Sequence, residues 1–266
     1  MRTKKFSILT RSFIILLFSF LTSLQLELKA QTDSSISVYQ YRKVPDNKID
    51  EFIKRETTYW SKVAESAVKN KTMTFWGLFE KVGGYDMSNS PNFLFINTFP
   101  NIDKAGEVFG AAEKITGLPI ARIETNSLGS TTSQFFLHGE DWAQAANAKP
   151  QNDFNYVVMI YHNTNYPDSL IALEKKYWSP FIKKAMDNKQ TPQMGWGNAL
   201  VLSPSGENIK FNTVSYDIYK TLKDALMPVW DPKTVFPGEG LNKINTIEIN
   251  RRSSDIYRVV KVVSSN

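Results

Sequence analysis

The chain has 266 residues, a formal net charge of +6 and no cysteine. Residues 1–30 hold +4 of that charge (Arg2, Lys4, Lys5, Arg11 and Lys29 against Glu27), so +2 remains on the rest, too little to argue for nucleic acid. The missing cysteine excludes disulfides, thiolate nucleophiles, thiolate metal ligands and a lipid-bearing cysteine behind a leader.

The N-terminus combines a basic start, a short apolar run from Phe13 to Leu21, and Ala30 just before Gln31. That order predicts a secretory signal peptide over residues 1–30 and a periplasmic or secreted product. The run is far shorter than the roughly 20 residues that span a bilayer, and no later stretch is apolar enough, so no membrane span is expected after removal.

Ser35 to Arg42 alternates as a half-buried strand. Pro45-Asp46-Asn47 is a turn, after which Ile49, Phe52, Ile53, Trp60, Val63, Ala64 and Ala67 follow helical spacing. Met73 to Glu80 predicts a second strand, Gly83 to Pro91 a turn-rich loop, and Asn92 to Phe99 a third strand. A shorter helix to about Ala112 and a strand from Thr131 to Leu137 complete the module. Gly139 to Asp153, rich in Ala, Asn and Gln, is expected to be a linker.

The same order then recurs. Tyr156 to His162 predicts a strand, Asp168 to about Asn188 a helix, Gln193 to Leu202 and Lys210 to Ile218 strands, Thr221 to Leu226 a helix, and Asp255 to Val263 a closing strand. The recurrence is literal in the long helices: Glu56, Tyr59, Trp60, Ser61, Ala67, Asn70 and Lys71 return 118 positions later as Glu174, Tyr177, Trp178, Ser179, Ala185, Asn188 and Lys189. With Asp50/Asp168 and Ile53/Ile171, nine of 22 aligned positions match, against about one or two by chance. Carrying that offset back into the first strands pairs Arg42 with Ile160 and Val44 with His162. The expected class is α+β: two tandem ferredoxin-like β-α-β-β-α-β modules, 31–138 and 154–266, with antiparallel sheets packed face to face as a barrel.

The segments Val38 to Arg42, Lys48 to Phe52, Trp76-Gly77-Leu78-Phe79 and Asn92 to Phe95 together resemble the dimeric α+β-barrel superfamily, in its NIPSNAP and antibiotic-monooxygenase flavour. The resemblance covers both modules. It implies a barrel around a cavity, in a superfamily that includes cofactor-independent oxygenases, haem-binding enzymes and proteins without known chemistry. Haem-binding members use a histidine in the barrel, and of His138 and His162 the second is the better placed.

Several residues are candidates for a pocket inside that barrel. Arg42, Asn97, Asn198 and Asp217 are its expected polar groups, Trp76 and Trp196 its walls, and His162 a strand-end candidate. Trp60 and Trp178 are expected to be packing anchors, and Glu56 and Glu174 hydrogen-bonded helix-face groups rather than acids or bases. Two isolated histidines make no metal spacing, and no phosphate loop, nucleophile elbow or HExxH motif occurs, so neither metal nor cofactor is called for. The expected function is therefore a non-enzymatic, exported small-ligand-binding or accessory protein, its modules pairing within the chain or across a homodimer. The partner would be a small apolar or aromatic ligand. A cofactor-independent monooxygenase on an aromatic substrate and a structural barrel with a filled interior are the alternatives.

Overall fold

The computed structural model describes residues 34–83, 90–206, 209–247 and 252–265. The expected leader and most of the turn-rich loop before Pro91 lie outside them. The first module opens with strand β1 (Ile36–Lys43). Its long helix α1 has three consecutive pieces: α-helical Ile49–Arg55, π-helical Glu56–Trp60 and α-helical Ser61–Lys69. Strands β2 (Phe75–Lys81) and β3 (Phe93–Phe99) follow, then short helices α2 (Ala105–Gly110) and α3 (Ala112–Thr116) and strand β4 (Ser130–Gln144). The second module runs β5 (Tyr156–His162), then α4 as Pro167–Leu173, π-helical Glu174–Trp178 and Ser179–Asp187. It ends with β6 (Gln193–Ser203), β7 (Thr213–Tyr219), α5 (Leu222–Leu226), α6 (Gly238–Ile247) and β8 (Arg252–Ser264).

The repeated Asn-Lys pair has a backbone reason. Lys71 and Lys189 stand just past the two long helices with φ of 59° and 56°, the left-handed turn that stops a helix. The repeated Glu-x-x-Tyr-Trp also has one. In both copies it forms a π turn, a local widening that inserts into an α-helix and re-aims its side chains. The sequence periodicity predicts one unbroken helix there, because a single extra residue barely disturbs the apolar stripe.

The eight strands close into one antiparallel barrel in the order β1-β3-β2-β8-β5-β7-β6-β4. Each module contributes a four-stranded sheet, and the two sheets join where β8 pairs with β2 and β4 with β6. Those two strands outrun their expected lengths because each bridges both modules. Thus β4 pairs with β1 up to His138 and with β6 out to Gln144, so the chain is extended strand where a linker is expected to start.

Two kinds of core result. Inside the barrel Tyr39, Tyr41, Leu94, Phe135, Met159, Tyr161, Val214 and Tyr257 pack together. Outside it, α1 packs Phe52 and Val63 onto Trp76, Leu78, Phe93 and Phe95 of the first module's sheet. The matching layer of the second module is sparser, with Ala143, Ile182, Met186 and Trp196. Helix α6 has no counterpart in the expected elements, since its glycines argue against helix. Gly240 is there for close approach: a Cβ would lie 2.4 Å from the Tyr177 Cβ.

Candidate functional site

The structure places none of the seven candidate residues inside the barrel. Successive side chains of a strand alternate between faces, and the interior is taken by Tyr41, Leu94, Tyr161, Ala199 and Ile218. Their neighbours Arg42, His162, Asn198 and Asp217 therefore point outward, under the helices. Trp76 is buried 6.2 Å from the Phe95 ring in the first helix-covered layer, and Asn97 stands opposite it across the β2–β3 ladder. Trp196 is buried beside Ile182 and Met186 in the second. The tryptophans are packing residues, and the polar groups belong to a sheet–helix layer.

The pairing of the copies also changes. Asn92 brackets Val44, accepting from its N–H and donating to its carbonyl at 2.8 Å each. Asn212 brackets Thr164 in the same way, at 3.2 and 2.5 Å. Arg42 lies opposite Phe93 as His162 lies opposite Thr213. The strands therefore correspond at an offset of 120, and His162 is the counterpart of Arg42, not of Val44. The helices keep the offset of 118, because the loop before α4 is two residues shorter and the turn after it two longer. Loops absorb such shifts while ladders resist them.

With the correct pairing, the two helix-covered layers differ sharply. Phe93, Phe95 and Leu78 of the first module become Thr213, Ser215 and Asn198 in the second. Large apolar side chains give way to small polar ones, all buried. The Ser215 hydroxyl donates to Glu174 Oε1 at 2.9 Å, and Asn198 Nδ2 donates to Glu174 Oε2 at 2.8 Å. His162 Nε2 lies 3.1 Å from Ser215 Oγ. Since the one hydroxyl proton of Ser215 is committed to Glu174, His162 Nε2–H is the donor in that contact. The result is a buried chain, His162 to Ser215 to Glu174, along which a proton can pass. Alongside, Gln193 Nε2 donates to Asp217 Oδ1 at 2.8 Å. Asn198 Oδ1 and Thr213 Oγ1 are buried and hydrogen-bond to no protein group.

The π turn brings Glu174 to this face. Helical spacing gives it a structural role, yet its sign is present in the sequence: a carboxylate repeated at a position that the helix buries. An open cleft of about 680 Å³ adjoins the layer, lined by Asp141, Trp142, Gln144, Lys175, Ser179 and Lys183 among others. Lys175 follows Glu174 on the π turn, and Asp141 pairs with Asn198 across the β4–β6 ladder. Among the described residues no group of three or more His, Asp or Glu side chains is arranged to hold a metal.

The first module holds the equivalent carboxylate differently. Thr125 Oγ1 donates to Glu56 Oε1 at 2.6 Å, and Arg42 donates to the carbonyls of Thr125 at 2.9 Å and Gly129 at 3.2 Å. Burial outweighs the Thr125 hydrogen bond and the Arg42 charge, pushing the Glu56 carboxyl up to about 7. Burial also lifts the Asp217 carboxyl to about 7, against the Arg252 charge and the Gln193 hydrogen bond. Both acids keep protons in the folded state that the unfolded chain releases at its ordinary carboxylate pKa. Their contribution to stability is therefore full below about pH 4 and is lost as pH rises toward 7. Glu56→Gln keeps an acceptor for Thr125 and removes one of the two titrations. At pH 8 it is expected to raise stability, by an amount on the order of 3 kcal/mol, with little change at pH 4. Urea unfolding at the two pH values measures this, and equal effects at both would contradict it.

No protein-family profile matches the chain, and no curated protein matches it by sequence. Solved structures do. A candidate monooxygenase from Lactobacillus acidophilus is 11% identical with a TM-score of 0.55, over 86% of this chain and 96% of that one. A candidate monooxygenase from Fusobacterium nucleatum is 10% identical with a TM-score of 0.54, over 89% and 96%. An anthrone oxidase-like protein is 13% identical with a TM-score of 0.52, over 88% and 94%. The chain thus shares the fold of these proteins, a closed α+β barrel of eight antiparallel strands, over most of its length. The expectation of a non-enzymatic binding or accessory protein does not survive these neighbours, which carry oxygenase and oxidase names.

Proposed function

We propose that the protein is an oxygenase of the cofactor-independent, antibiotic-monooxygenase kind, acting on a hydroxylated polycyclic aromatic substrate in the second module. The observation that carries this reading is the Glu174–Ser215–His162 chain, buried beside unpartnered Asn198 and Thr213 oxygens. The oxygenase and oxidase names of the structural neighbours support the reaction class.

The chemistry follows from the carboxylate. An anthrone-type methylene is acidic, because its carbanion is delocalised over the rings and the carbonyl. Glu174 takes the proton, and the resulting anion gives electrons to O2. The carbon loses both hydrogens and gains one oxygen atom as a carbonyl, while the second oxygen leaves as water. Glu174 returns the protons to the reduced oxygen, which leaves as water, and this restores the base. Ser215, itself held by His162, and Asn198 donate to the carboxylate and keep it in place.

An oxygen electrode tests this with anthrone and a panel of hydroxylated aromatics, without added cofactor. The expected result is one O2 consumed per substrate, forming the quinone above the uncatalysed rate. Binding without turnover across the panel would sink the oxygenase reading.

A further inference from the structure

A second cavity, of about 700 Å³, opens at one mouth of the barrel, on the other face of the strands from Glu174. It lies on the seam between the modules. Tyr41 and Ser133, paired across β1 and β4, correspond to Tyr161 and Ser253, paired across β5 and β8, and all four line it. The Tyr41 hydroxyl donates to that of Tyr161 at 3.2 Å, and Tyr161 and Tyr257 hydroxyls are 3.5 Å apart. Burial pushes all three phenols upward, so they stay protonated and hold one another at neutral pH.

The wall is not symmetric. Phe135 stands where the other copy has Asp255, and Phe211 where the first has Pro91. The Phe211 ring centroid is 4.4 Å from that of Phe135 and 4.8 Å from that of Tyr161, giving one aromatic side. The other side carries Lys81, paired with Asp255 at 2.7 Å, and Lys210 stands at the rim. Two lysines against one aspartate leave the mouth positive. An aromatic wall, the Ser133 and Ser253 hydroxyls and a cation excess within a cavity of ligand size are recognition chemistry for one class of molecule.

We propose that the barrel mouth is a second binding site, for a planar aromatic anion such as an aryl carboxylate, its ring against Phe135 and Phe211 and its charge toward the lysines and the Ser133 and Ser253 hydroxyls. This site is separate from the buried carboxylate chain and does not depend on the oxygenase reading.

Calorimetric titration of the full chain with 2-naphthoate, and with the neutral analogue 2-naphthalenemethanol, tests it. The anion is expected to bind at least about tenfold more tightly than the alcohol, a preference that fades with salt. Phe211→Ala should weaken both ligands. Lys210→Glu alters an exposed side chain and leaves the fold alone, and it should reduce the preference for the anion severalfold. Glu174→Gln should leave naphthoate affinity unchanged. Equal affinity for acid and alcohol, no binding of either, or loss of binding in Glu174→Gln with none in Lys210→Glu would each overturn the assignment. The last of these would move the ligand to the sheet–helix layer.

Discussion

Glu174→Gln is expected to lower turnover by about a hundredfold or more while the protein stays folded. General bases contribute typically 10² to 10⁴ in rate, and an amide has no basicity to replace a carboxylate. The substitution is isosteric, and the site can accept it. Ser215 keeps its acceptor oxygen. Asn198, whose Oδ1 has no partner, can turn its amide over and accept from the new NH2 group. Oxygen uptake gives kcat, and thermal unfolding checks the fold. If kcat falls with an unchanged Tm, Glu174 acts as the base. An unchanged kcat would return the carboxylate to a structural role and move the chemistry elsewhere. Ser215→Ala should cost less, since it removes one of the two donors that hold the carboxylate but leaves the base itself in place.

The largest loss of stability is expected at Trp196. Its side chain is 1% exposed and packs with Ile182, Met186 and Ala143 in the sparser of the two helix-covered layers. Truncation to Ala should cost about 3–5 kcal/mol, through lost burial and the cavity left behind. That is a large share of the roughly 5–15 kcal/mol that holds a typical domain. Denaturant unfolding would show a lowered midpoint with an unchanged slope. A cost below about 1 kcal/mol would mean that Trp196 does not anchor α4 to the sheet, and would reopen its part in a ligand pocket.

Much of the fold is legible in the residues. Alternation marks strands, the 3.6-residue stripe marks the long helices, and the doubled Glu-x-x-Tyr-Trp marks a duplication. The site is only partly so. His162, Asn198 and Asp217 can be picked out as polar residues in apolar strands, yet alternation says only that they share a face. It does not say whether that face meets the barrel axis or the helices. The two faces of a closed barrel are both buried here, so burial pattern cannot tell them apart. Glu174 is assigned a structural role for a related reason: helical spacing places it on the helix but does not show that its carboxylate meets Ser215 and Asn198 of the sheet.

By itself the sequence determined that this chain is built twice from one β-α-β-β-α-β unit, because periodicity and identity are local properties that a string of residues carries. Which strands of the two copies meet was decided only by the tertiary structure. Edge pairing of β8 with β2 and of β4 with β6 closes the barrel, and the ladders then hold the register. That register makes Arg42 and His162 counterparts, exchanges Phe95 for Ser215 above the repeated carboxylate, and so sets an apolar packed layer in one module and a hydrogen-bonded polar one in the other. Hydrogen-bonded ladders cannot slip by two residues without losing every contact, while loops lengthen at little cost. Carrying the helices' offset back into the first strands therefore pairs the wrong residues there, and the folded sheets pair the right ones.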